Sequence, residues 1–176
     1  MERKTNYTIN NTIFRVLYGD ITNIEADALV SSDDNHLTMG GGVSTAIARA
    51  GGDIIRQETR KHIPLKIGDV AVTSAGNLPA KYIFHAITIE LDTWIYASEE
   101  TIHSATLKCL QLSDQLQVKH IVFPALGTGT ARFPFQLAAE VMTKTIADYL
   151  ADGTGIEIVT LTLHARERVT RDDLNI

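Results

Sequence analysis

The chain has 176 residues, enough for one compact domain, and a fold of this size hides about 70% of its unfolded surface without needing a disulfide or a metal. Its composition, 44% hydrophobic and 21% charged, is that of a globular domain. With 16 Lys and Arg against 21 Asp and Glu, the formal net charge is −5, which excludes a broad basic face for duplex DNA or RNA. At first sight that balance also disfavours any anionic ligand.

Short β-branched runs alternate with longer amphipathic ones, the pattern of an α/β layer fold. In chain order, Tyr7–Asn10 is a candidate edge strand, followed by strands at Ile13–Leu17 and Ala28–Ser31. Helices are expected at Ser44–Ala50 and Asp53–Lys61, then strands at Asp69–Thr73 and Tyr82–Thr88. The eight residues between Thr73 and Tyr82 are too few for a crossover helix, so these two strands pair antiparallel and the sheet is mixed. A helix at Ser98–Leu116, a strand at His120–Pro124, a helix at Pro134–Leu150 and a strand at Ile156–Leu163 complete the chain. Pro134 suits a first helical turn, where its missing N–H has no intrahelical partner. The whole reads as a single domain over residues 1–176, an α/β fold with a mixed central sheet of about six strands.

The N-terminus has no apolar leader and no apolar run is long enough to span a bilayer, so the expectation is a cytoplasmic monomer without membrane contact. The single cysteine, Cys109, falls in a helical pattern and reads as a packed thiol. Six scattered histidines show no metal-ligand spacing, so neither a metal nor a cofactor is expected, and His85, within an apolar strand, reads as a hydrogen-bonded core histidine.

Polar and glycine-rich residues gather after several strands, where open α/β sheets bind ligands. They are Gly19-Asp20-Ile21-Thr22, the stretch from Ser32-Asp33-Asp34 to Gly40-Gly41-Gly42-Val43-Ser44, Leu126-Gly127-Thr128-Gly129-Thr130-Ala131-Arg132-Phe133, and His164-Ala165-Arg166. Glycine lets a ligand approach the backbone closely, and a helix start adds free N–H groups that suit a phosphate. Two such loops on one sheet edge favour a ligand with more than one phosphate. A sharp ligand-free turn is the plain alternative for each. Arg132 stands where a dinucleotide fingerprint needs its last glycine, and neither loop has the Gly-Lys-Ser/Thr ending of an ATPase or GTPase. Ser44 is too far from the preceding strand for the nucleophile elbow of a serine hydrolase, and an N-cap role fits it better.

Taken together, these segments resemble the macrodomains, a family that binds ADP-ribose and its derivatives. The resemblance runs through Gly19-Asp20-Ile21-Thr22, Asp27-Ala28-Leu29-Val30, the Gly-Gly-Gly-Val loop, Gly68-Asp69-Val70, Tyr82-Ile83-Phe84-His85-Ala86, Ile121-Val122-Phe123-Pro124-Ala125-Leu126-Gly127-Thr128-Gly129 and Phe133-Pro134. It implies a three-layer α/β/α sandwich. It also implies that Asp20 accepts the adenine amino group, that Ile21 packs on the adenine, and that Gly40 to Ser44 wraps the distal ribose and part of the pyrophosphate. Leu126 to Phe133 would hold the pyrophosphate by backbone amides, with Phe133 against the distal ribose, and His164 to Arg166 would touch the adenine.

The chain departs from the hydrolytic branch of that family. Asp34 stands in place of the Asn that handles the distal ribose, Ser44 in place of an Asp proposed to activate water, and Arg132 in place of a glycine. Two readings follow for the partner, ADP-ribose or an ADP-ribosylated macromolecule. In one, the chain hydrolyses an ADP-ribosyl linkage with Asp33, Asp34 and Ser44 as the catalytic candidates, burial beside a second carboxylate raising one pKa for general-base work. In the other, it is a non-catalytic reader or sensor, and Asp33 and Asp34 form an ordinary turn after the strand.

Overall fold

The computed structural model describes residues 3–164, so Ala165 and Arg166, expected beside the adenine, lie outside the described residues. The strands are β1 (Lys4–Ile9), β2 (Thr12–Tyr18), β3 (Ala28–Asp34), β4 (Val70–Ser74), β5 (Tyr82–Glu90), β6 (Ile95–Tyr96), β7 (His120–Phe123) and β8 (Ile158–Leu163). Four α-helices accompany them: α1 (Gly42–Gly51), α2 (Asp53–Thr59), α3 (Glu99–Gln115) and α4 (Phe135–Ala151).

The strands form one sheet in the order β1-β2-β8-β7-β3-β5-β4, with β6 paired to the end of β5. β2, β8, β7, β3 and β5 run parallel, while β1, β4 and β6 pair antiparallel. The antiparallel β4–β5 pairing is the one that the short Thr73–Tyr82 link predicts. The sheet has eight strands where about six were expected. The surplus comes from the edge hairpin at β1 and from β6, whose two residues are too short to carry a period.

Alternation along β3 decides the layers. Ala28 and Val30 face a core built with Ile102, Ala105, Leu110, Met142 and Ile146 of α3 and α4. Leu29, between them, faces a second core with Ile47 and Ala48 of α1 and Ile55 of α2. Helices thus cover both faces, as a largely parallel sheet requires. The result is the expected α/β/α sandwich.

Three helix starts differ from expectation. α1 begins at Gly42 with Gly41 at its N-cap, so Ser44 is its third residue, and its Oγ donates to the Gly41 carbonyl at 2.6 Å. Pro134 is the N-cap of α4 rather than a residue of its first turn, held at ψ 126° just outside the helix. Ser98 caps α3 by accepting the Thr101 amide at 3.2 Å. Among the described residues no helix is long and apolar enough to cross a membrane.

Candidate functional site

The five parallel strands all point their carboxyl ends to one edge, and a cleft of about 740 Å3 lies along it, within the range of small-molecule sites. One end is lined by Gly19, Asp20 and Ile21 after β2 and by Thr162 and His164 of and after β8. The middle is lined by residues 40–44 at the start of α1 and by Gly127, Thr128, Gly129, Thr130 and Ala131 after β7. The far end is closed by Asp33 and Asp34 of β3 with Thr88, Ile89, Leu91 and Trp94 from the β5–β6 hairpin.

Asp20 is the N-cap of a 3-10 turn, Ile21–Asn23, and its Oδ1 accepts the Thr22 amide at 2.9 Å and the Thr22 hydroxyl at 2.7 Å. The turn role and a ligand role therefore coexist, because the same residue lines the cleft. Ile21 beside it is buried.

The middle of the cleft is rich in backbone N–H groups. The first helical bond of α1 runs from the Thr45 amide to the Gly41 carbonyl at 3.2 Å, so the amides of Gly42, Val43 and Ser44 precede any intrahelical partner. In the facing loop the Gly127 amide donates to Ser32 Oγ at 3.2 Å, and the Arg132 and Phe133 amides turn back onto Gly129 and Gly127. The intervening amides of Gly129, Thr130 and Ala131 donate to no described backbone group. Arg132 sits at φ 53°, a left-handed position that glycine adopts more cheaply. The two loops meet at Gly41, where a Cβ would lie 2.2 Å from Thr130 Oγ1. A side chain there would have to displace the exposed Thr130 hydroxyl, which glycine avoids.

Three residues of the second loop fall outside the cleft lining. Leu126 is fully buried in the core, Phe133 packs against that core, and Arg132 points to solvent. The contact expected between Phe133 and a distal ribose is therefore not prearranged.

At the far end, adjacent carboxylates have different fates. The β3–β5 register shifts between Asp33 and Asp34, so Asp33 lies opposite Ile87 and Asp34 opposite Ile89. Such a bulge re-aims side chains. Asp34 turns into its own loop, where Oδ1 accepts the His36 amide at 2.9 Å and the Thr38 amide at 3.3 Å while Oδ2 accepts the Thr38 hydroxyl. Its carboxylate organises residues 34–38.

Asp33 turns the other way and is wholly buried. Its Oδ2 lies 2.8 Å from His85 Nδ1, while its Oδ1 has no hydrogen-bond partner. His85 Nε2 lies 2.9 Å from Thr73 Oγ1, which also lies 3.1 Å from the Ser74 carbonyl. The imidazole therefore bridges Asp33 of β3 and Thr73 of β4 through its two ring nitrogens, giving one oxygen of a carboxylate buried beside the cleft a hydrogen-bond partner.

The site contains residues that the sequence reading did not single out. Trp94, Leu91, Thr88 and Thr38 line the cleft, and His85 reaches it through Asp33. No group of three His, Cys, Asp or Glu residues is arranged to hold a metal among the described residues.

Fold and cleft together define an α/β/α protein with an elongated ligand site across the strand ends, acidic at its far end and amide-rich in the middle. The Macro domain family model matches residues 30–142. An uncharacterized protein of Sulfolobus acidocaldarius is 36% identical over 148 residues, covering 81% of this chain and 80% of its own length. A Macro domain-containing protein of Caldanaerobacter subterraneus is 35% identical over 153 residues, covering 85% and 87%. The chain belongs to the Macro domain family. Among solved structures, the Oceanobacillus iheyensis macrodomain with ADP superposes with a TM-score of 0.86 at 24% identity, covering 99% of this chain and 93% of that one. The Trypanosoma brucei macrodomain in complex with ADP-ribose gives 0.79 at 19% identity, covering 92% and 66%.

Proposed function

We propose that this chain binds an ADP-ribosyl group along the cleft and hydrolyses the bond at its distal ribose. The adenine lies at the Asp20–Ile21 end, where an ionised carboxylate is a strong acceptor for the exocyclic amine. The pyrophosphate lies over the α1 N-terminus and the amides of residues 129–131. Oriented N–H groups of this kind hold phosphate without leaving a trace in a count of basic residues, so the net charge of −5 is no obstacle. The distal ribose then comes to Asp33 and Asp34.

The observation that carries the catalytic reading is the buried Asp33–His85 pair, 2.8 Å apart, on a strand end that lines the cleft. The second oxygen of Asp33 is buried without a partner, which is costly and which a catalytic role would explain. Asp33 takes a proton from water as the water oxygen bonds to the anomeric carbon; the linked group leaves with the bonding pair and is protonated by solvent. Asp34 and Ser44, each engaged with its own loop, hold the walls that position the ribose.

The test is to incubate the protein with ADP-ribosylated protein, ADP-ribosylated nucleic acid and O-acetyl-ADP-ribose and to measure free ADP-ribose over time. Multiple turnovers on one of them support hydrolysis. Tight ADP-ribose binding with no turnover on any assigns the chain to the reader or sensor class.

A further inference from the structure

The β5–β6 hairpin presents three consecutive large apolar side chains to solvent: Trp94, 65% exposed, Ile95, 53%, and Tyr96, 48%. Only Trp94 of these lines the cleft. It does so from a left-handed backbone conformation, φ 55°, that a bulky residue rarely adopts. Strain of this kind persists only where the surroundings over-determine it.

The surroundings do so here. Glu90 accepts the Asp92 amide at 2.8 Å, the Thr93 amide at 3.0 Å and the Thr93 hydroxyl, which fixes the turn before Trp94. Asn35, from the loop after β3, accepts the Leu91 amide at 2.9 Å and donates to Asp92 Oδ2 at 2.9 Å and Glu90 Oε1 at 3.2 Å. His36 Nε2 lies 2.8 Å from Asp92 Oδ1. The turn that carries this exposed indole to the cleft mouth is thus braced by a side-chain network anchored next to Asp34. A solvated loop needs no such bracing.

The charge at this end is also one-sided. Asp34, Glu90 and Asp92 are carried on β3, β5 and the turn, against His36 and Arg56, whose Nη1 donates to the Thr38 carbonyl at 3.0 Å, while Asp33 is buried against His85. An exposed indole at the acidic end of a cleft suits a planar cation, since tryptophan is the strongest aromatic partner for one.

We propose that Trp94 is the platform for the group attached to the anomeric carbon of the distal ribose, and that this group is planar and cationic, a pyridinium or a guanidinium. The inference rests on the ADP-ribosyl reading above, because that orientation brings the anomeric carbon to the Trp94 end. Glu90, Asp92 and Asn35 act as positioning residues for the indole.

Trp94 is the single tryptophan of the chain, so its fluorescence reports on this position alone. Emission and affinity are measured with ADP-ribose, with NAD+, which carries a pyridinium, and with ADP-ribosyl-arginine, which carries a guanidinium. The expected result is that one conjugate quenches Trp94 and binds at least about fivefold more tightly than ADP-ribose, a preference of cation–π size. That preference falls to near one in Trp94→Ala and is partly kept in Trp94→Phe; the conjugate that shows it identifies the source of the cation. Binding of ADP-ribose with no preference for either conjugate overturns the platform and leaves the ADP-ribosyl reading standing. Failure of ADP-ribose itself to bind overturns both. A dimer that Trp94→Ala converts to monomer assigns the patch to self-association and overturns the platform.

Discussion

His85 Nδ1 lies 2.8 Å from Asp33 Oδ2, and neither side chain is exposed to solvent. The two residues come from adjacent parallel strands, and the imidazole is held on its other side by Thr73 of β4. Three neighbouring strands therefore fix one carboxylate, leaving its other oxygen unpartnered. On the hydrolytic reading, Asp33→Asn lowers turnover by about 100-fold or more, the scale of lost general-base catalysis. ADP-ribose affinity, measured separately by calorimetry, changes far less. His85→Gln, which retains a hydrogen-bonding end, keeps more activity than His85→Ala. Equal rates for Asp33→Asn and wild type would remove Asp33 from the chemistry.

Asp34 behaves differently because its carboxylate already accepts from the His36 amide, the Thr38 amide and the Thr38 hydroxyl. Asp34→Ala strands these donors and is expected to lower unfolding stability by about 1–3 kcal/mol, the cost of unsatisfied partners. Urea denaturation reads that loss directly. Unchanged stability together with an abolished rate would return the catalytic role to Asp34.

The contrast between these two neighbours explains what was legible in the chain. Short β-branched runs alternating with longer amphipathic ones give the layers, because each run's type follows from its own residues. The antiparallel β4–β5 pair follows from link length. Which partners Asp33 and Asp34 find does not, since a bulge in the β3–β5 register lies between them and a bulge depends on two strands at once. The same reason hides the role of His85: its hydrogen bonding is foreseeable, but its partner lies 52 residues away. β6 was missed because two residues carry no period, and Trp94 with it. Ser44 was expected to cap α1, but Gly41 at φ −128° and ψ 147° takes the cap, and the serine serves the first turn from inside.

Gly41 keeps the two amide-rich loops in contact, with a Cβ there reaching 2.2 Å from Thr130 Oγ1. Gly41→Val crowds Thr130 and displaces its side chain, or the loop after β7 with it. The expected outcome is weaker ADP-ribose binding, by about tenfold or more, with a melting temperature close to that of wild type. Calorimetric titration checks the first and thermal unfolding the second. Unaltered affinity would mean that the phosphates do not lie between these loops.

The His36–Asp92 link ties the loop after β3 to the Trp94 turn. The Asp92 hydrogen bond raises the His36 pKa above its ordinary 6.5, against a smaller opposing effect of desolvation. A histidine whose folded-state pKa is raised contributes stability that is complete below the ordinary value and is lost as pH rises through the raised one. Both groups are exposed, so the effect is local. A proton NMR titration of the His36 ring is expected to show a midpoint above 6.5, returning towards it in Asp92→Asn. A midpoint at or below 6.5 would mean that the link does not hold in solution.

Asp20 carries the binding half of the account, and its loss is the most direct test. Isothermal titration of ADP-ribose into wild type and Asp20→Ala is predicted to give one site per chain in the wild type. In the variant, binding weakens by about 1.5–3 kcal/mol, as for a lost hydrogen bond to a charged group. Absence of ADP-ribose binding by the wild type, or equal affinity in the two proteins, would contradict the account.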